Sequence, residues 1–382
     1  VPPYSVGGAG KRIYALCKEF SALGHEVIII TSVQQKEDAG RREIDGMTII
    51  SLYSRYHRGL RGYFSVYNPR TVGEVKKIIH ELHPDIVHCD NIHEHLSYTL
   101  LKVAKQSGSR TFITLRDSMS FAYGKIYPRI HDCSNSDYHR TWFDNLKQAR
   151  KRFNPLRNLM IRKYLAYADR IFTVSEALQT VLLQNGIKAD GVIYDGLEIR
   201  PIPFSWQELS EMQKKNNLAG KKVIFLPGRL NYAKGVFQLT DAFSVILQKI
   251  PNAVLLFVGV ADAEKEKIIS YATAKNILHS IHIVGWVGEK DMAGFYQLSD
   301  LVVSPSLCFD VFPGVNLEAA LYKKPVITGC FGGGKEFVLH EKTGYVVNSY
   351  DTQELIEKIS IVLQDEKLAK DFGNRGYERL QN

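Results

Sequence analysis

Short apolar, β-branched runs alternate with amphipathic helical stretches along almost the whole chain. This alternation limits the possible fold more than any other feature. In the first half the runs are 27–31, 85–88, 111–115, 170–174 and 191–194; in the second they are 223–226, 254–258, 281–284, 301–304, 325–328 and 345–347. Strands that are apolar on both faces must be covered on both faces, which is the condition of a parallel sheet between two layers of helices. Two successive sets predict an α/β chain with two doubly wound, Rossmann-like domains. The 382 residues also exceed what one core usually organises. Arg200-Pro201-Ile202-Pro203 breaks regular structure, and a polar helical piece follows at 206–217. The expected domains are therefore 1–198 and 221–382, joined by a linker at 199–220. Ligands of such folds sit at the carboxyl ends of the strands, so the expected site is a cleft that the two domains face across.

The chain opens on Val1-Pro2-Pro3, and a loop at 2–10 leads into a helix at 11–23 without a strand before it. A doubly wound domain needs a central strand there, so a strand of about 5–8 residues is expected to be missing upstream. The last helical stretch, 368–380, is read as cut as well. No apolar run approaches the ~18 residues that span a bilayer. The five cysteines, Cys17, Cys89, Cys133, Cys308 and Cys330, are odd in number and scattered, with no C-x-x-C pair. The expectation is no disulfide framework, no metal site and a reducing compartment.

The net charge of +9 is unevenly spread. Residues 140–163 carry eight Lys/Arg against one acid, Asp144. Residues 53–70 carry four Arg and no acid, interleaved with Tyr53, Tyr56, Tyr63, Phe64 and Tyr67. Such patches attract phosphates of a lipid surface or a substrate, and the plainer reading is solvated helical faces. Nucleic acid is not expected, because no recognised binding motif accompanies the charge.

Four segments carry chemistry. Gly7-Gly8-Ala9-Gly10 opens the first helix, where backbone amides can approach a phosphate; Ser5 and Arg12 break the P-loop pattern, and a plain tight turn fits as well. Gly228-Arg229-Leu230 follows a strand and Lys234-Gly235 opens the next helix, so two cations sit where a diphosphate would bind, or form a solvated basic turn. Asp310 and Glu318 flank Val311-Phe312-Pro313-Gly314-Val315-Asn316-Leu317, one in a loop and the other in the first turn of a helix. Carboxylates accept well from sugar hydroxyls and helix amides suit a phosphate or sugar oxygen; simple helix capping is the alternative. Gly332-Gly333-Gly334-Lys335-Glu336 is a second glycine-rich turn after a strand, bringing backbone near a ligand or serving only as a loop.

Taken in order, these segments resemble the retaining family 4 glycosyltransferases of the two-domain GT-B fold. The matching stretches are Gly7-Gly8, Leu23-Gly24-His25-Glu26-Val27, Pro84-Asp85-Ile86-Val87-His88, Val174-Ser175-Glu176, Gly228-Arg229-Leu230, Lys234-Gly235, Asp310 to Glu318, Pro325-Val326-Ile327, Gly332-Gly333 with Glu336, and Thr343-Gly344. The resemblance implies that Arg229 and Lys234 hold the donor diphosphate after Gly228, and that Glu318 takes the ribose hydroxyls. It implies that Asp310 binds the transferred sugar, aided by the backbone of Phe312, Pro313, Gly314 and Val315. Gly8 would face the diphosphate from the first domain, and Trp286 would lie beside the base. Asp90, Asn91, Arg116 and Asp117 follow first-domain strands and are candidates for sugar or acceptor contacts. The implied donor is a UDP- or GDP-sugar, with no metal and no other cofactor.

Two positions depart from the family pattern. Asp310 stands where Glu is usual, one methylene shorter. Arg116 stands where His is common; a guanidinium cannot titrate but can bind a phosphate or anionic sugar. The expected function is sugar transfer to a glycan or lipid-linked acceptor for a cell-surface polysaccharide or glycolipid, in the cytoplasm or on the inner face of its membrane. The alternatives are a sugar-nucleotide epimerase, a phosphorylase, or a scaffolding subunit that has lost activity.

Overall fold

A computed structural model describes residues 8–134, 136–197 and 201–382. The chain divides into two compact units. Of the described residues, the first unit takes those up to Ile126 and Tyr138–Leu197, and the second takes Tyr127–Asp137 and those from Pro201 onward.

The first unit holds two sheets. Strands β1 (Ile28–Val33), β2 (Gly40–Ile44) and β3 (Met47–Tyr53) form one, in the order β1-β3-β2. Strands β4 (Ile86–Asp90), β5 (Arg110–Leu115), β6 (Arg170–Thr173) and β7 (Gly191–Val192) form the other, in chain order and all parallel. Every run named from the sequence in this half is a strand. β2 and β3 were not foreseen. They pair antiparallel, Ile44 opposite Met47, across Asp45-Gly46, both at positive φ. That is the two-residue turn an Asp-Gly pair favours, because its twist matches the strands it joins. β2 reads Gly-Arg-Arg-Glu-Ile, too polar to register as an apolar run.

The second unit is one six-stranded parallel sheet. Its strands are β8 (Lys222–Pro227), β9 (Ala253–Val258), β10 (Ile281–Val284), β11 (Leu301–Ser304), β12 (Val326–Gly329) and β13 (Gly344–Val347), in the order β10-β9-β8-β11-β12-β13. All six residues of β9 are buried, as a strand covered on both faces requires. The core runs from this sheet into helices Val236–Lys249 and Thr352–Gln364. The chain winds outward from β8 to β10, returns, and winds the other way from β11 to β13. The strand order thus reverses between β8 and β11, and the loops after these two strands flank the crevice where such sheets bind ligands.

Residues 201–220, expected to be a linker with a polar helical piece at 206–217, are not without structure. Ser205 caps helix Trp206–Lys215 through a capping box with Glu208, and Leu218 is fully buried. The helix lies on helix Glu289–Leu298, where a Cβ added to Gly294 would stand 2.5 Å from Met212 Sδ. The expectation for the cysteines changes: Cys133 and Cys330 form a disulfide, and Cys17, Cys89 and Cys308 stay reduced. The partners lie 197 residues apart. Their spacing carried no signal because Tyr127–Asp137 leaves its sequence neighbours and packs in the second unit. Among the described residues, no helix is long and apolar enough to cross a membrane.

Candidate functional site

The loop after β8 is shaped by close backbone contact. Gly228 adopts φ +108° and donates its amide to Val258 O at 2.9 Å. A Cβ on Gly259, after β9, would stand 2.4 Å from Gly228 O, so the two strand ends touch through glycine. Further on, the Asn231 side chain takes the Ala233 amide and closes the Tyr232–Lys234 turn. Gly235 at φ +72° then starts helix Val236–Lys249; a Cβ there would lie 2.0 Å from Pro305 O. Leu307 donates to Ala233 O at 2.9 Å. The β8 and β11 loops are thereby held edge to edge.

This contact brings Lys234 to Asp310. Nζ stands 2.5 Å from Oδ2, and Ser306 Oγ donates to the same oxygen at 2.8 Å. Burial works against the Lys234 charge, but the Asp310 carboxylate outweighs it and holds the ammonium above its ordinary pKa. Arg229 is near enough to act in the opposite sense, and its side chain is exposed. The Asp310 backbone is braced by the glycine-rich loop after β12: its amide donates to Phe331 O, its carbonyl accepts from Gly333, and it bridges to Gly332. Gly332 has φ +132°, and a Cβ there would fall 2.0 Å from Asp310 O. Glu336 lies beyond, in the short helix Gly334–Phe337, and its carbonyl accepts from Arg379.

Phe312 and Pro313 lead into helix Gly314–Leu321. Its first amides, those of Gly314 and Val315 among them, have no acceptor within the helix, and Pro313 brings no capping side chain. Beneath it, buried Asn316, Ser304 and Thr328 close a hydrogen-bonded triangle of 2.8–3.2 Å that pins the helix start to β11 and β12. Glu318, in the same helix, accepts from Tyr296 Oη at 2.7 Å. Tyr296 is buried, stacked on Tyr322 and edge-on to Phe225. In sequence Tyr296 reads as an ordinary apolar position of its helix, so this partner carries no local signal. Trp286 follows β10 and is 59% exposed. Exposed and half-buried cations beside an open helix N-terminus, with two carboxylates close by in sequence, suit a diphosphate bearing hydroxylated groups.

The first-unit candidates form a different arrangement. Gly8 is the first residue of helix Gly8–Ala22 and is exposed; Gly7 lies outside the described residues. Asp90 ends β4 and Arg116 follows β5, beside it in the sheet. Arg116 Nε reaches both Asp90 oxygens at 2.7 and 2.9 Å, and its other arm pairs with Asp195. Asp195 is also 3.9 Å from Arg12 Nε. Burial pushes the Asp90 carboxyl up to about 6, against the lowering pull of Arg116. Two carboxylates engage Arg116 inside its own unit, and its side chain is 8% exposed. Asn91 takes a positive φ of 50°. Asp117 accepts from the Met119 amide and stands 3.5 Å from His93, whose pKa burial lowers. Among the described residues, no group of three or more His, Cys, Asp or Glu is placed to hold a metal ion.

Residues 6–199 match the family described as Glycosyltransferase Family 4, and residues 208–379 match Glycosyl transferases group 1. Among curated relatives, the chain is similar to the capsular polysaccharide biosynthesis glycosyltransferase CapM of Staphylococcus aureus, 26% identical over 59% of this chain and 60% of CapM. The chain spans about half the length of the first curated relatives it matches. Among solved structures, sucrose-phosphate synthase from Thermosynechococcus elongatus shares the fold with a TM-score of 0.75 at 21% identity, over 98% of this chain and 89% of that one. Anabaena HepE in complex with UDP-glucose does so with a TM-score of 0.70 at 19% identity, over 99% and 92%. These folds are GT-B, and with both halves matched in order the chain belongs to the family 4, group 1 glycosyltransferases.

Proposed function

We propose that this protein transfers a sugar, with retention of configuration, from a UDP- or GDP-sugar to a glycan or lipid-linked acceptor, in the synthesis of a cell-surface polysaccharide or glycolipid. The Lys234–Asp310 pair, held at the point where the strand order reverses, carries this reading. Lys234 and Arg229 receive the negative charge that grows on the departing diphosphate, without a metal ion. Asp310 takes hydroxyls of the sugar as its anomeric carbon becomes oxocarbenium-like. Glu318, oriented by Tyr296, takes the ribose hydroxyls, and Trp286 offers a face to the base. CapM, described as acting in capsular polysaccharide biosynthesis, and HepE, solved with UDP-glucose, support the substrate class.

A membrane location is part of the proposal. In the first unit a Cβ on Gly62 would stand 2.3 Å from Arg152 O, and Asn154 donates to Gly62 O at 3.1 Å, so the two basic segments run side by side. Tyr63, Trp142, Phe143 and Leu156 are exposed there, with Arg58 and Lys151. Not every charge is available: Arg61 pairs with Glu94, and Arg157 is buried among the Ser65 hydroxyl and the Ala122 and Met119 carbonyls. The surface suits anionic lipid on the cytoplasmic face, each free cation adding about 1 kcal/mol.

Calorimetry with UDP, GDP and their sugars, followed by transfer assays over a panel of acceptors, tests the reading. Binding with transfer supports it. An epimerised donor, or an acceptor cleaved by phosphate, would replace it with another chemistry, and binding without turnover would point to a scaffold. No nucleotide binding at all overturns it.

A further inference from the structure

We propose that Tyr127–Asp137 is a positioning strap for the loop that braces Asp310, locked by the Cys133–Cys330 disulfide and released by reduction; this rests on the donor-site reading above. Its two ends meet where Arg129 N donates to Asp137 O at 3.0 Å, which makes it a closed surface loop. Asp132 ties its turn to the Ser134 amide and hydroxyl. Three contacts seat it. Asn348 Nδ2 donates to His131 O at 2.9 Å. The His131 ring stacks on Tyr350 with centroids 3.6 Å apart and planes within 7°. Cys133 is bonded to Cys330.

The disulfide and the ring stack both lead to Asp310. Cys330 directly precedes Phe331, the residue whose carbonyl accepts the Asp310 amide. Phe331 packs edge-on against Tyr350, so this one tyrosine touches the strap on one face and the bracing loop at its edge. Tyr350 Oη also donates to Leu307 O, in the loop that carries Ser306 and Asp310. The strap, the 329–333 loop and the 305–312 loop are thus one connected assembly, with a covalent bond at its centre. Diphosphate-side residues Arg229 and Lys234 sit on a different loop.

Reduction has a simple balance. A dithiol passes two electrons and two protons to the bond; it becomes a disulfide, and Cys133 and Cys330 become thiols. Cys133 is partly exposed and Cys330 buried, so attack begins at the Cys133 side.

The test starts with a thiol count on the protein unfolded without reductant. Three thiols per chain are expected, those of Cys17, Cys89 and Cys308; five would overturn the proposal. Hydrogen exchange with and without tris(2-carboxyethyl)phosphine, which is oxidised to its oxide with water supplying the oxygen, reads the positioning. Exchange at 306–312 and 329–333 should rise at least about tenfold, the rest of the second unit staying protected. Cys133→Ser should show the same local rise and no further response to the phosphine. UDP affinity should stay within about twofold while kcat falls by roughly tenfold or more, as misplacing a sugar contact predicts. Unchanged exchange, exchange rising across the whole unit, or equal losses in affinity and kcat overturn the strap. Failure of every nucleotide to bind would instead overturn the donor-site reading, and the exchange result would stand by itself.

Discussion

Lys234→Ala separates chemistry from folding at this site. The Lys234 side chain is 30% exposed and that of Asp310 19%, so the cost of partly burying both charges offsets most of their attraction and the pair adds only about 1 kcal/mol to stability. Asp310 keeps its Ser306 hydrogen bond and its two backbone bonds when the lysine is gone, so its loop stays in place. The melting temperature should therefore fall by no more than about 4 °C. The activity loss should be larger, because in the proposed function Lys234 faces charge that develops only as the diphosphate leaves. Losing one preorganised group of that kind costs about 10²–10³ in rate, or roughly 3–4 kcal/mol. Single-turnover release of nucleoside diphosphate from saturating donor measures the first quantity, and a thermal melt in the same buffer measures the second. Turnover within about threefold of the parent would refute the role given to Lys234. So would a rate loss accompanied by a melting shift above about 10 °C, since the fold rather than the charge would then be responsible.

Tyr296→Phe removes the hydroxyl that orients Glu318 and nothing else; calorimetry with UDP should show affinity lower by about five- to thirtyfold, the equivalent of about 1–2 kcal/mol, and an unchanged affinity would dissociate Glu318 from the ribose. Asp90 holds its proton more tightly folded than unfolded, so its contribution is complete below about pH 4 and is lost as the pH rises through about 6. Urea unfolding should therefore show the parent losing about 2 kcal/mol relative to Asp90→Asn between pH 4 and 6, and parallel pH profiles would contradict the shift. Sedimentation with vesicles should favour anionic over neutral lipid, and replacing Arg58 and Lys151 by Glu should abolish the preference; equal sedimentation with both vesicles would remove the membrane from the proposal.

Much of the second unit was legible because its chemistry is local. β8, the turn carrying Arg229 and Lys234, and the stretch from Asp310 to Glu318 are each continuous in sequence, and strand burial on both faces leaves an unmistakable apolar run. What escaped was long-range. Tyr296 reaches Glu318 from another helix, and Cys133 reaches Cys330 across 197 residues. The carboxylates that pair with Arg116, Asp90 and Asp195, stand 26 and 79 residues away and are not visible as its neighbours. β2 and β3 are hidden for another reason: the Asp45-Gly46 turn signal is present, but the polar run Gly-Arg-Arg-Glu-Ile before it does not read as a strand partner.

The chain's passage between units also bears on how such proteins can be recombined. A cut between 197 and 201 is the obvious place to divide such a chain into halves. Here that cut is not clean, because Tyr127–Asp137 travels with the first half of the gene and packs in the second unit. A chimaera joining residues up to 197 of this chain to the second half of a relative without a Cys at position 330 would carry an unpaired Cys133 and a loop shaped for a surface it no longer meets. The exchangeable module is the second unit together with its eleven-residue outlier, two pieces of sequence that must be inherited as a pair.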